Sequence, residues 1–235
     1  MYPVCEEVNV SLYINNKKFI TFMCTPDNLK ELAIGHLYTR NLIEDIDDID
    51  SIRICNSLKN IYITSEFISM DDDLSLNTVL SSACGSSPNF NLKLNKILES
   101  QTNFHLERLK NATIKMFKLA VKHQETGGMH SCAVYNANKG LIALEDVGRH
   151  NAVDKIIGAC LSRNYDLRDS AIISTGRIST DMVLKCIGAK IPVVVTRSIP
   201  TTSALELAKK TGITVVGRIL SSEPIIYVNE NRILK

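Results

Sequence analysis

The chain has 235 residues, 45% of them hydrophobic, with 27 Lys and Arg against 25 Asp and Glu. That length and composition suffice for a full core in one large domain or two small ones, and the balanced charge excludes a non-specific nucleic-acid binder or a polybasic membrane module. No run approaches the roughly 18 apolar residues of a spanning helix. MYPVCEEVNV also lacks the basic and apolar regions of a secretory signal, so a cytoplasmic location is expected.

VNVSLYI and FITFMC alternate around NNKK and predict a hairpin. Asp27 or Asn28 then caps a helix through LKELAIGHLYTR, with Glu31 as capping-box partner if Asn28 is the cap. Leu29, Leu32, Ala33 and Leu37 are its apolar stripe. SIRICNS and NIYITSE read as a strand pair split near Lys59 and Asn60. Residues 69 to 91, with three aspartates, many serines, Gly85 and Pro88, have loop chemistry. A helix is predicted from Phe104 to Val121, with Leu106, Leu109, Ile114, Phe117 and Val121 on or near one face.

From Ser131 onward strands and helices alternate. HSCAVYN and GLIALED predict a strand pair, followed by a helix from Gly148 to Ser162 that Asp146 could cap. Strands AIIS, IPVVVT and ITVVGRI then alternate with helices STDMVLKCIGAK and TSALELAKKT. Continuous apolar strands between amphipathic helices predict a largely parallel sheet covered on both faces. Gly188 and Gly212 stand where helix C-terminal glycines belong.

Five segments could carry chemistry. Cys84 sits in SSACGSS, where small neighbours leave a thiol open and hydroxyls can stabilise a thiolate, although an incidental loop cysteine has the same pattern. The other six cysteines, at 5, 24, 55, 132, 160 and 186, complete an odd, widely spaced set that argues against a disulfide framework. Gly127, Gly128 and His130 precede a strand, the glycines permitting close approach of a ligand or simply a turn. Arg149, His150 and Asn151, in EDVGRHNAVDK, lie at a helix N-terminus, the usual place for anions or for an ordinary cap. Ser174, Gly176 and Arg177, and then SIPTTS from Ser198, occupy the next two strand-to-helix loops. Loops of this kind share the carboxyl edge of a parallel sheet and together suit a phosphorylated or nucleotide-bearing ligand. There is no Walker or dinucleotide glycine motif, no C-x-x-C and no H-E-x-x-H, so no metal site is expected.

In combination these segments resemble the formate dehydrogenase accessory sulfurtransferases, the FdhD family. The similar stretches are ELAIGHLYTRNLIED, SSACGSS, TGGMHSCAV, EDVGRHNAVDKIIGACL, the run from STGRIST to ITVVG, and a tail around IIYVNENRI. The resemblance implies a C-terminal α/β/α sandwich of cytidine-deaminase-like type, over 101–235, that binds the cofactor. A smaller N-terminal β-rich subdomain, 1–100, would hold one helix and the Cys84 loop. It implies a sulfurtransferase that takes persulfide sulfur from a cysteine desulfurase onto Cys84. The sulfur would pass to the molybdenum (or tungsten) bis-molybdopterin guanine dinucleotide cofactor that formate dehydrogenase requires. Arg218, Ile219, Leu220, Ser221, Ser222 and Glu223 match the family's cofactor-binding stretch, although Leu220 and Ser221 depart from its usual glycine-and-arginine run. Ser87 stands where many members carry a second cysteine, which favours the alternative of a cofactor-binding chaperone without sulfur transfer. The implied partners are a cysteine desulfurase and formate dehydrogenase, with neither nucleic acid nor membrane, and a homodimer is compatible with the family.

Overall fold

The computed structural model describes residues 2–55, 57, 59–69, 78–80 and 102–235. Strands β1 (Val8–Ile14) and β2 (Lys17–Cys24) form the expected hairpin. Its turn residues Asn15 and Asn16 have φ of 49° and 65°, the left-handed pair that a two-residue hairpin loop needs and asparagine tolerates. Strands β3 (Ser51–Cys55) and β4 (Asn60–Thr64) pair antiparallel, and β4 joins β1 in parallel. A fifth strand, β5 (Thr78–Leu80), runs parallel to β2 with Leu80 opposite Phe22. The sequence placed these three residues in a loop; strand pairing with β2 overrides the polar composition around them.

Helix α1 (Leu29–Thr39) follows the first hairpin. The capping box expected of Asn28 and Glu31 does not form: Asn28 is left-handed at φ 49°, and its side chain makes no capping bond. Every residue from Leu32 to Thr39 is buried. A helix buried all round must touch protein on every face, and α1 does so between the first sheet and α4 (Arg149–Leu161). A Cβ added at Gly35 would lie 1.8 Å from the carbonyl oxygen of Asp154, and one at Gly158 would lie 2.0 Å from that of Glu31. The two backbones therefore cross in direct contact. Gly188, expected as a helix-ending glycine, is the last residue of α5 (Thr180–Gly188) and serves the same contact: its Cβ would meet the Thr39 carbonyl oxygen at 2.1 Å.

The larger sheet has the order β12-β11-β10-β9-β7-β8. Its strands are β7 (His130–Asn136), β8 (Gly140–Asp146), β9 (Ser170–Ser174), β10 (Val193–Thr196), β11 (Thr214–Gly217) and β12 (Ile225–Val228). The central β9, β10 and β11 are parallel, whereas β7 runs antiparallel to both β8 and β9 and β12 antiparallel to β11. Strands β8, β9, β10 and β11 thus all end on one edge, where β7 begins. One face packs on α4, α5 and α6 (Thr202–Thr211). The other is covered by α2 (Leu106–Leu119) and the short pair β6 (Phe104–His105) and β13 (Ile233–Leu234). The helix expected over 104–121 is shorter than its periodicity suggested. It breaks at Ala120, and α3 (Val121–Thr126) starts a new direction. Ile114 and Val121 are exposed, and Leu109, Ala112, Thr113 and Met116 make the buried face.

Substituting Gly35→Ala or Gly158→Ala should cost more than about 3 kcal/mol, because the new methyl meets backbone that cannot move aside. Gly127→Ala, at φ 70° with nothing within 4 Å, should cost only about 1 kcal/mol. Denaturant unfolding of the three variants checks this contrast.

Candidate functional site

Three of the four strands ending on the common edge finish in the same local device. Asp146 closes β8 and its Oδ1 accepts the Gly148 N–H at 2.8 Å. Ser174 closes β9 and its Oγ accepts the Gly176 N–H at 3.1 Å. Thr196 closes β10 and its Oγ1 accepts the Ser198 N–H at 2.9 Å. A short acceptor that captures the N–H two residues on turns the chain sharply off the sheet. The loops are then stitched together: the Thr196 hydroxyl donates to the Gly176 carbonyl at 2.6 Å, and the Arg218 N–H to the Ser198 carbonyl at 2.9 Å. An arginine follows each strand end, namely Arg149, Arg177, Arg197 and, after β11, Arg218.

Between the start of β7 and the end of β10 lies a cavity of about 490 Å³ lined by His123, Gly127, Gly128, Met129, His130, Thr175, Arg197 and Ser198. Gly127 ends α3 at φ 70°, and the Cys5 thiol lies against Gly128, where an added Cβ would meet its sulfur at 2.8 Å. A Cβ on Gly176 would meet Arg149 Cδ at 3.2 Å and His130 Nδ1 at 3.5 Å, so the glycine lets these two side chains lie against the loop. Arg149 Nε is buried and has no partner. Its guanidinium is pushed below its ordinary pKa by burial and by the charge of Arg177, only partly offset by Asp181. Burial, Arg149 and His123 likewise lower the pKa of His130. His150 is only 6% exposed, neither ring nitrogen has a hydrogen-bond partner, and Asp181 Oδ2 is 4.0 Å away. Burial, with Lys185 and Arg149 nearby, lowers its pKa to about 3. The edge carries concentrated positive charge.

A second cavity, also about 490 Å³, opens beside Arg218 and is lined by Ser221, Ser222, Glu223 and Lys235 among others. Ser221 Oγ is buried there without a partner. Ile219 is fully buried in the core under α2, and Leu220 packs against it, so these two anchor the stretch and do not line its cavity.

Other sequence-selected residues have structural partners. The Asn151 amide donates to the Met23 carbonyl at 2.8 Å and to Asp146, facing the first sheet. Ser174 is buried within its own turn. Asp146 sits two residues before the N-cap, Gly148, and its buried carboxylate accepts the Thr25 N–H at 3.1 Å and pairs with Lys155 at 2.7 Å. Arg177 is exposed at the edge. Cys84 lies outside the described residues. Thr175, within the STGR segment that the sequence singled out, lines the first cavity, whereas the sequence reading missed Arg197 and His123; Arg197 directly follows a strand, a position like that of Arg177, and was legible on that ground. Among the described residues, no group of three His, Cys, Asp or Glu side chains could hold a metal ion, and no helix is long and apolar enough to cross a membrane.

The FdhD/NarQ family model matches residues 5–234. The chain belongs to that family. It is 32% identical to the sulfur carrier protein FdhD of Bacillus pumilus, over 98% of this chain and 90% of that one. The sulfur carrier protein FdhD of Bacillus subtilis is 30% identical, covering 97% and 88%. A crystal structure from Desulfotalea psychrophila, described as that of a candidate formate dehydrogenase accessory protein, superposes with a TM-score of 0.79. Its identity is 25%, and the match covers 98% of this chain and 90% of that one. The family thus links this α/β fold to sulfur carriage and to formate dehydrogenase.

Two buried histidines set the acid limit of the fold. His36 donates Nδ1–H to Asp154 at 3.1 Å, and burial, reinforced by Arg40, lowers its pKa to about 3, as for His150. Their folded pKa values lie below the unfolded value, so stability is full above about pH 6.5 and is lost as pH falls toward 3. Each group should contribute a slope of up to about 1.4 kcal/mol per pH unit in that window. His150→Gln should flatten the pH dependence of thermal unfolding below pH 6.5 relative to wild type.

Proposed function

We propose that this chain takes persulfide sulfur from a cysteine desulfurase onto Cys84 and transfers it to the metal of the molybdenum (or tungsten) bis-molybdopterin guanine dinucleotide cofactor, for delivery to formate dehydrogenase. In the first step the Cys84 thiolate attacks the outer sulfur of the donor persulfide; one S–S bond forms, another breaks, and the donor leaves as a thiolate. In the second, the outer sulfur leaves Cys84, which keeps the electron pair of the broken bond as a thiolate. The metal supplies the two electrons that make the sulfur a sulfido ligand.

The observation that carries this reading is the row of Arg149, Arg177, Arg197 and Arg218 along one sheet edge, flanked by two cavities. Guanidinium groups suit diphosphates, which a guanine dinucleotide carries. Chain direction supports it as well. β5 runs parallel to β2 toward Thr25, which is bonded to Asp146 at that same edge. In the sequence Cys84 follows Leu80 by four residues.

Intact-protein mass spectrometry after incubation with an active cysteine desulfurase and cysteine tests the sulfur step. A sulfur-sized mass increase is expected in wild type and should vanish in Cys84→Ala. Its absence from wild type would favour a cofactor chaperone without sulfur chemistry, the reading that Ser87 keeps open. Arg149→Met and Arg177→Met should each weaken guanosine diphosphate binding about tenfold or more, the loss expected for a charge-assisted hydrogen bond, measured by calorimetry.

A further inference from the structure

We propose that His130 couples ligand capture at this edge to a proton: the imidazole takes one from solvent when a diphosphate settles beside Arg149 and Arg197, and returns it on release. The inference rests on the phosphate-binding reading above and adds to it a charge state that the protein changes for its ligand.

The geometry singles out His130 among the three histidines near the edge. His130 lines the cavity with Arg197, and its Nδ1 and the Arg149 side chain both lie against Gly176. Its Nδ1 is 3.5 Å from Thr175 Oγ1, a hydroxyl that also accepts the Ser131 N–H. A hydroxyl can donate to the neutral ring or accept from the protonated one, so protonation at Nδ1 keeps this contact. His123 is committed, with Nδ1 2.7 Å from the Met129 carbonyl oxygen. His150 is shut in beside Asp181 and, with its pKa near 3, lies too low to charge at neutral pH.

The charges around His130 decide the direction. From α4 come Arg149 and His150, from α3 His123, from the loop after β9 Arg177, and from the loop after β10 Arg197. Across the strand pair, β8 brings Asp146 and Glu145. Asp146 pairs with Lys155 at 2.7 Å and offsets the cations only in part, and Glu145 accepts the N–H groups of Lys122 and His123. Burial and the neighbouring cations therefore leave the free ring neutral at physiological pH. A bound diphosphate adds negative charge to this cationic cavity and reverses the balance. The proton is an added counter-charge that only the bound state holds.

The test is calorimetric titration of the full chain with P1,P2-di(guanosine-5′) diphosphate, whose phosphates are diesters of fixed charge, between about pH 6 and pH 8 in buffers of differing ionisation enthalpy. Wild type should take up about half to one proton per ligand near pH 7, and its affinity should fall by up to about tenfold per pH unit as pH rises. His130→Asn should bind more weakly, with neither proton uptake nor pH dependence, whereas His123→Asn should keep both. Binding without proton exchange in wild type, or uptake that persists in His130→Asn, overturns the assignment and leaves the phosphate-binding reading standing. No binding at any pH overturns both. Should His130→Asn not fold, the wild-type imidazole resonances decide: the His130 pKa must rise by about a unit or more on ligand addition, and an unmoved one sinks the proposal.

Discussion

Helices α1 and α4 cross with their backbones touching at Gly35 and Gly158, and the charges buried at that crossing fix how the two sheets sit together. Asp154 accepts Lys185 Nζ at 2.6 and 2.7 Å, the Thr39 hydroxyl at 3.1 Å and the His36 imidazole at 3.1 Å. Burial alone would raise its pKa, but Lys185 and His36 outweigh burial and hold it well below the usual carboxylate range. A buried carboxylate is tolerable only when its acceptor capacity is filled in this way, and removing one partner would strand the rest. The single ion therefore joins α1, α4 and α5.

The same helix explains how one sequence motif carries two duties. In EDVGRHNAVDK, Arg149 and His150 occupy the first turn of α4 at the edge, while Asp146, Asn151, Asp154 and Lys155 hold neighbouring elements. Lys155 is fully buried and donates to the Thr25 carbonyl and to Asp27, which also pairs with Lys122. Strand β2 is thus locked to the edge that bears the arginines. Because Asp146, Ser174 and Thr196 occupy the N–H groups of their turns, positive charge at the edge is supplied by side chains more than by the backbone nest of a P-loop. Arginines on separate elements, Arg149 in the first turn of α4 and the others on strand-end loops, can adapt to a large anion, at the cost of the mutual repulsion that Arg149 and Arg177 experience.

Much of this was legible in the sequence wherever a local pattern decides structure. The hairpin at Asn15 and Asn16, the alternation after Ser131 and the convergence of Arg149 and Arg177 on one edge follow from periodicity and turn chemistry. What stayed hidden depends on partners distant in the chain. Nothing in LNTVLSS marks Thr78–Leu80 as a strand without β2 beside it, and Ile114 looks like core until α2 is seen to face the sheet through Leu109 and Met116. Gly188 resembles a terminating glycine, yet the Thr39 carbonyl requires it. Asn151 resembles a ligand contact because an amide in a helix's first turn gives no sign of which side it faces.

The all-round burial of α1 also bears on how the chain reaches its fold. His36 and Asp154 stand 118 residues apart, and Thr25 and Asp146 stand 121 apart. Contacts of such separation form late, since closing long loops must precede their reward. During synthesis the α1 segment has left the ribosome well before α4 exists to cover it. An apolar segment left waiting in this way is open to aggregation or to capture by a chaperone. The supply of correctly folded protein is then set in part by how quickly the second half of the chain follows the first.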